Sequence, residues 1–471
     1  MNARGLTPSL ETRGLPPSHR VPKDGPTILQ IIPQLDAGGA ELSVVEITGA
    51  VARAGGRCIV LAEPGRLAAT IEAAGGEVHP FPAATKNPLR LLANAGGIAR
   101  IAGREGVDLI HARSRAPAWS ALLAARRIGV PFVTTYHGAY SETNAAKRLY
   151  NSVMARGDAV IANSRYTAAL IAGRYGTPAG RMEVIHRGVD PAAFDPAAIA
   201  PERVAALRKK WGLTPGRRVI LQAARLTRWK GQGVLIDAAA RLQAQGRLHD
   251  AAVVLAGDAQ GRDAYVADLR SQIARQGLQP QVHIVGHVED MAAAYLAAHV
   301  TVVASTEPEA FGRTAIEAAA VGCPVIATDI GAPPETVLAE TVLAETVLAE
   351  TVLAETVLAE NRADRGQTPG PKLHVESQPL EARGLTPSRG PTGWLVPPGD
   401  AEALAERLAE ALSLAPATRT AMGVCARQHV LANFSVTSMQ RSTLGVYDRL
   451  LGTALQARFD QVSPKHSPTL P

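Results

Sequence analysis

Cysteines, aromatic residues and long uncharged apolar runs are all scarce in this chain of 471 residues. The three cysteines, Cys58, Cys323 and Cys425, are too scattered for a metal site or a disulfide framework, so they are expected as small buried residues in a reducing compartment. Aromatics make up 4% of the chain and no zinc-knuckle or ribonucleoprotein motif occurs, which argues against a nucleic-acid module built on stacking platforms. The amino terminus lacks the apolar segment of a secretory signal, and no uncharged apolar stretch reaches spanning length. The nearest candidate, Met291 to Ser305, divides into an Ala-rich helix and the strand Val300 to Ala304. A cytoplasmic protein is therefore expected.

Apolar residues, at 46%, and charged ones, at 19%, are those of a chain that buries substantial cores. The length suits two domains of 100 to 200 residues each with tails. Lys and Arg number 49 against 42 Asp and Glu, a net charge of +7 that favours anionic partners. Lys147, Arg148 and Arg156 fall on one predicted helix and Arg203, Arg208, Lys209 and Lys210 on another. Such helices suit anionic lipid heads at the inner face of a membrane, and equally suit plain solvation.

From Thr27 the chain alternates β-rich runs (TILQIIP, RCIVLAE, DLIHAR, PFVTTYHG, DAVIANS) with helical stretches, the pattern of a parallel sheet wrapped by helices. Arg187-Gly188-Val189-Asp190, followed by Pro191, Pro196 and Pro201, reads as a linker. A second series follows: RVILQAAR, AAVVLAG, VHIVGH, VTVVAS and CPVIATD. The expected fold class is α/β, with two Rossmann-like doubly wound domains facing across a cleft.

The expected division is a disordered low-complexity tail over 1–25, a first domain over 26–190, and a second over 191–335 and 391–432. A helix over 433–455 is expected to cross back to the first domain, with a disordered tail over 456–471. Between the two pieces of the second domain lies a low-complexity insertion, 336–390, in which TVLAE occurs five times before a Pro/Gly/Arg-rich stretch. A five-residue repeat turns a helix by about 500°, so its apolar pairs build no single face and no core.

Ligands of doubly wound sheets bind at the carboxyl ends of strands, so the chemistry-bearing residues there come first. Gly38-Gly39 ahead of a helix lets a ligand approach the backbone and meet unpaired N–H groups, or is only a turn. It is not a G-x-G-x-x-G dinucleotide motif. Arg225 and Lys230 follow the first strand of the second series, where a forked guanidinium and a mobile ammonium can neutralise a diphosphate, or be merely solvated. Glu309 and Glu317 flank Phe311-Gly312-Arg313 after VTVVAS. The spacing proves nothing, but the loop, helix start and second helical turn place two carboxylates and an anion-binding terminus together. His137 ends a strand beside Gly138, where a lone histidine is ordinarily structural and a sugar contact is the alternative.

The ordered set GGAE, TYHG, HRGVD, ARLTRWKG, EAFGRTAIE, GAPPE and TGWLVPPGD resembles the family-4 retaining glycosyltransferases of the two-Rossmann, B-type fold, over Pro26 to Glu335 and Thr392 to Leu451. The resemblance implies transfer of a hexosyl group from a nucleotide-diphosphate sugar to a saccharide or lipid-linked acceptor, in lipopolysaccharide, exopolysaccharide or glycolipid assembly. It implies no cofactor, and the absence of an Asp-x-Asp triplet for a divalent metal agrees with this. It assigns Arg225 and Lys230 to the donor diphosphate, Glu309 to the transferred sugar and Glu317 to the ribose. Gly39 is placed near phosphate and His137 beside the donor sugar, with Phe311, Gly312 and Arg313 completing the donor site. The chain departs from the family in having His186-Arg187 where an asparagine usually opens the linker motif, in Pro334, and in the insertion. An epimerase or phosphorylase on the same fold, and a non-catalytic carbohydrate-binding protein, remain the competing readings.

Overall fold

The computed structural model describes residues 25–339, except 37, 86 and 141, and residues 390–462. The expected tail before Gly25, most of the insertion and residues 463–471 lie outside the described residues.

The β-branched runs become two fully parallel sheets. The first contains β1 (Thr27–Gln34), β2 (Arg57–Glu63), β3 (Glu77–Pro80), β4 (Leu109–Ala112), β5 (Phe132–Tyr136), β6 (Ala159–Ala162) and β7 (Met182–Val184), in the order β3-β2-β1-β4-β5-β6-β7. The second contains β8 (Arg218–Ala223), β9 (Ala251–Ala256), β10 (Val282–Gly286), β11 (Val300–Val303), β12 (Val325–Thr328) and β13 (Gly393–Val396), in the order β10-β9-β8-β11-β12-β13. Both are doubly wound α/β sheets. Their central strands are buried on both faces because helices cover each side, which is why they read as unbroken apolar runs rather than alternating ones. In each sheet the strand order reverses at one point, between β1 and β4 and between β8 and β11. A crevice opens there outside the strand ends.

After the helix Pro416–Asn433 the chain returns to the first domain. Val189 in the linker donates to the Phe434 carbonyl and accepts from Val436, at 2.8 and 2.9 Å. The helix Val436–Leu451 then lies along the helix Gly39–Arg53, with Met439, Leu444 and Tyr447 buried in the first-domain core. The segment expected to be a tail from residue 456 instead forms the helix Leu455–Val462, whose Phe459 is fully buried beneath Arg53. Leu455 and Phe459 stand four apart and share one apolar face, a short signal that the polar residues around it conceal in sequence.

The insertion also begins later than its repeats do. Val337 and Leu338 of the first TVLAE copy are 2% and 1% exposed and belong to the second-domain core. Leu338 N–H donates to Thr392 Oγ1 at 2.8 Å and its carbonyl accepts from Thr392 N–H at 2.8 Å, so residues 338 and 392 close the base of the insertion. The first pentad is thus part of the second-domain core.

Candidate active site

The residues of the second domain gather at the β8/β11 switch point. Beyond β8 the chain makes a 3-10 turn, Arg228–Lys230, held by Thr306 N–H on the Trp229 carbonyl (2.8 Å) and by Gln222 Nε2 on the Lys230 carbonyl (2.6 Å). Gly231 ends that turn with φ +71° and packs directly on the Ala304 carbonyl, where any Cβ would collide. Lys230 is thereby aimed at Glu309, with Nζ–Oε1 at 2.6 Å and side chains 16% and 7% exposed.

Ser305 Oγ donates to the same Glu309 oxygen. Behind it, Ala332 N–H donates to the Glu309 carbonyl at 2.9 Å, so the GAPPE loop braces the Glu309 backbone. Oε2 of Glu309 takes no hydrogen bond among the described residues and keeps its acceptor capacity for a ligand. Arg225 stands apart from this pair. It is exposed on the loop after β8 and its guanidinium makes no ion pair among the described residues.

The helix Arg313–Ala320 begins at Gly312 and carries Glu317 in its second turn, where Arg313 Nε (3.1 Å) and the Tyr295 hydroxyl (3.1 Å) hold the carboxylate. Phe311 is 2% exposed among Val189, Ile316 and Phe434, so its side chain serves packing. Arg313 also reaches across to the first domain and grips Glu46 at 3.0 Å, both side chains being 13% exposed. Burial pushes the Glu46 carboxyl above its ordinary range while Arg313 pulls it back.

On the first-domain side, Gly39 opens the helix Gly39–Arg53 directly against these groups. A Cβ there would lie 3.0 Å from Arg187 Nη1 and 3.2 Å from Arg313 Cδ. Arg187, from the linker, donates to the Gly39 carbonyl, to Ser43 Oγ at 2.9 Å and to His137 Nδ1. Burial, then the nearby Arg313, pulls its guanidinium down to about 9, so it remains charged at neutral pH. Burial and Arg187 likewise hold His137 well below the usual imidazole range, and it is neutral. A third link joins the domains at Glu335, which accepts from His186 Nε2 (2.9 Å) and from Arg165 and Tyr166 N–H (2.9 and 2.8 Å) at a first-domain helix start. Burial raises the Glu335 carboxyl, but these three bonds outweigh it and the net shift is downward. The link therefore stabilises above the ordinary carboxylate range and is lost as pH falls through the lowered value.

The structure thus brings together Lys230 with Glu309, and Gly39, His137, Arg313 and Glu317 across the cleft. Sequence reasoning missed Glu46, Ser305 and the side chain of Arg187. Glu46 had no signal, being one acidic residue on an amphipathic helix. Arg187 had one, since it departs from the asparagine usual at that position. Arg156, placed by sequence on the helix of Lys147 and Arg148, falls beyond it: that helix ends at Asn151 and a 3-10 turn, Ser152–Ala155, follows. Among the described residues no cluster of three or more His, Cys, Asp or Glu is arranged to hold a metal ion, and no helix is long and apolar enough to cross a membrane.

Residues 37–193 match the model of glycosyltransferase family 4, and residues 204–357 that of glycosyl transferases group 1. A D-inositol 3-phosphate glycosyltransferase of Xylanimonas cellulosilytica is 31% identical over 329 residues, 63% of this chain and 76% of the relative. The chain belongs to the group 1 glycosyltransferases. The crystal structure of a glycosyltransferase from Rickettsia africae is similar to it with a TM-score of 0.73 and 30% identity, covering 92% of this chain and 100% of the other. An Anabaena protein, Alr3699/HepE, solved in complex with UDP and glucose, shares the fold with a TM-score of 0.70 at 22% identity, over 90% and 100% of the two chains. This group 1 glycosyltransferase accordingly has the B-type architecture of two facing Rossmann-like domains. Its Lys230–Glu309 pair lies at the reversal point of the second sheet.

Proposed function

We propose that the protein transfers a hexosyl group from a nucleotide-diphosphate sugar with retention of configuration and without a metal ion. The observation that carries this reading is the Lys230–Glu309 pair, an ammonium and a carboxylate held 2.6 Å apart at the β8/β11 switch point. In this arrangement the C1–O bond to the distal phosphate breaks as negative charge gathers on the diphosphate. Lys230, Arg225 and the N–H groups at Gly312–Arg313 neutralise that charge, which is where fixed positive groups lower a barrier most. The acceptor oxygen bonds to C1 from the same face, and its proton passes to a departing phosphate oxygen. Glu309 Oε2 holds sugar hydroxyls, and Glu317 binds the ribose once a ligand competes for it.

The space beside Lys230 and Glu309 is only about 10 Å³ with the domains in contact. A donor therefore enters when the domains part, and closure through Arg313–Glu46 and Glu335 then excludes water. Thermal unfolding against UDP-, GDP- and ADP-sugars tests the donor, because a ligand of the native state raises its melting temperature. One nucleotide class should raise it in the presence of EDTA, and the anomeric proton of the product should match that of the donor. Inversion, or a shift that EDTA abolishes, would overturn the corresponding part of the reading.

The acceptor is proposed to be lipid-linked or part of a surface polysaccharide, at the cytoplasmic face of a membrane. An open groove of about 940 Å³ on the first domain supports this: Leu122, Leu123 and Leu149 line it together with Arg126, Arg148, Arg156, Arg174 and Arg181. Leu123 and Leu149 are exposed, and of the five arginines only Arg126 is bound to a carboxylate among the described residues. Basic residues beside an anionic surface contribute about 1 kcal/mol each. The protein should sediment with vesicles containing anionic lipid at low salt and not with neutral vesicles, and Arg148→Glu with Arg156→Glu should release it. Equal sedimentation with both lipids would remove the membrane from this account.

A further inference from the structure

Four consecutive strands of the first sheet end at one point. Arg113 follows β4, His137 follows β5, Asn163 follows β6 and Arg187 follows β7, and all four line a single small cavity with Ser43 and Thr135. Arg113 and Arg187 are 3% and 6% exposed. Neither meets a carboxylate within ion-pair distance among the described residues. Arg113 donates to Gln30 Oε1 (2.8 and 2.6 Å) and to Thr135 Oγ1, and Arg187 to a carbonyl, a hydroxyl and an imidazole. The acidic groups nearest them are engaged or peripheral: Glu46 is held by Arg313, and Glu41 lies in the first turn of its helix.

A buried charge without an opposite charge is costly, and two such cations at one cavity are costlier still. His137 adds a third donor. Its Nδ1 accepts from Arg187, so the neutral ring carries its proton on Nε2, which is sealed from solvent and bonded to nothing among the described residues.

We propose that Arg113, Arg187 and His137 form an anion site that binds a phosphoryl group of the acceptor. The Ser43 hydroxyl donates to the Gly39 carbonyl at 2.9 Å and accepts from Arg187, while two guanidinium groups and an imidazole N–H line one cavity. That suits a tetrahedral dianion better than a planar carboxylate, which a single arginine fork satisfies. The cavity is about 20 Å³ while Arg187 rests on Gly39, so the phosphoryl group enters as Arg187 leaves that neutral carbonyl. Gly39 lies beside both Arg187 and Arg313, which sets the acceptor next to the donor motif. The inference rests on the glycosyltransferase reading, and it names the class of acceptor.

Inorganic phosphate is the probe, titrated at constant ionic strength against chloride, with the full-length protein alone and then saturated with whichever nucleotide the donor screen identifies. Phosphate should raise the melting temperature in both cases. Arg187→Gln should weaken the phosphate affinity at least ten-fold while nucleotide affinity stays within two-fold, and Arg187→Lys, which keeps the charge, should lie between. An equal response in Arg187→Gln, or none beyond chloride in the unmodified protein, overturns the site. Competition between phosphate and nucleotide, with nucleotide affinity falling ten-fold in Arg187→Gln, assigns the cations to the donor diphosphate and overturns the acceptor assignment. Failure of every nucleotide to bind would count against the donor reading alone, since the phosphate titration stands without it. Should Arg187→Gln not fold, Arg187→Lys and His137→Gln carry the same comparison.

Discussion

Substitution of Lys230 by methionine is expected to lower kcat/KM by about 10²- to 10³-fold, the loss seen when one fixed donor to a developing oxyanion is removed. The same change leaves the Glu309 carboxylate buried with Ser305 as its only hydrogen-bond donor among the described residues, so stability should fall as well. The two effects are separable. Glu309→Gln introduced alongside Lys230→Met removes the unpaired charge and should recover most of the lost stability, while activity stays low or drops further. Melting temperature and initial rate measured on the unmodified protein and the two variants provide the check. If activity returned together with stability, Lys230 would be a structural partner of Glu309 and not a group that meets the diphosphate.

The second large effect is expected at Arg313. Its guanidinium binds Glu46 in the first domain and Glu317 on its own helix, and all three side chains are 13–14% exposed. Arg313→Ala leaves two buried carboxylates without the cation that bridges them, and removing one partner of a buried ion pair costs about 3–5 kcal/mol. Glu46, already raised by burial, should then be raised further, because Arg313 is the cation that pulls it back. The urea midpoint of Arg313→Ala should fall markedly, and Glu46→Gln added to it should restore part of the loss, because contacting residues do not act additively. A midpoint within experimental error of the unmodified protein would show that this contact adds nothing to the domain interface.

The sheets were legible wherever strands are central. Val, Ile and Leu runs at β1, β2, β8, β9 and β11 stand out because helices bury both of their faces. The two first-sheet strands that escaped the sequence reading, β3 and β7, are edges of four and three residues and are only partly buried. β3 ends in Pro80, a residue that speaks against a strand and is tolerated at an edge. The positions of Lys230 and Glu309 were legible because each lies on the loop that leaves a central strand, β8 and β11. Arg225 was read beside Lys230 by the same logic; it lies on the same loop but is exposed and has no carboxylate partner among the described residues. Glu46 was hidden for a different reason: its partner is 267 positions away, and only the meeting of two domains turns an ordinary helix position into a buried one.

The seated TVLAE copy bears on how the chain tolerates changes in its own length. Because the pentads are identical, gain or loss of whole units delivers the same threonine, valine and leucine to the slot beside Thr392. Replication slippage in steps of five codons would therefore leave the seated copy and its contact with Thr392 unchanged. A change within Thr336, Val337 or Leu338 themselves would put the wrong side chain against β12 and β13.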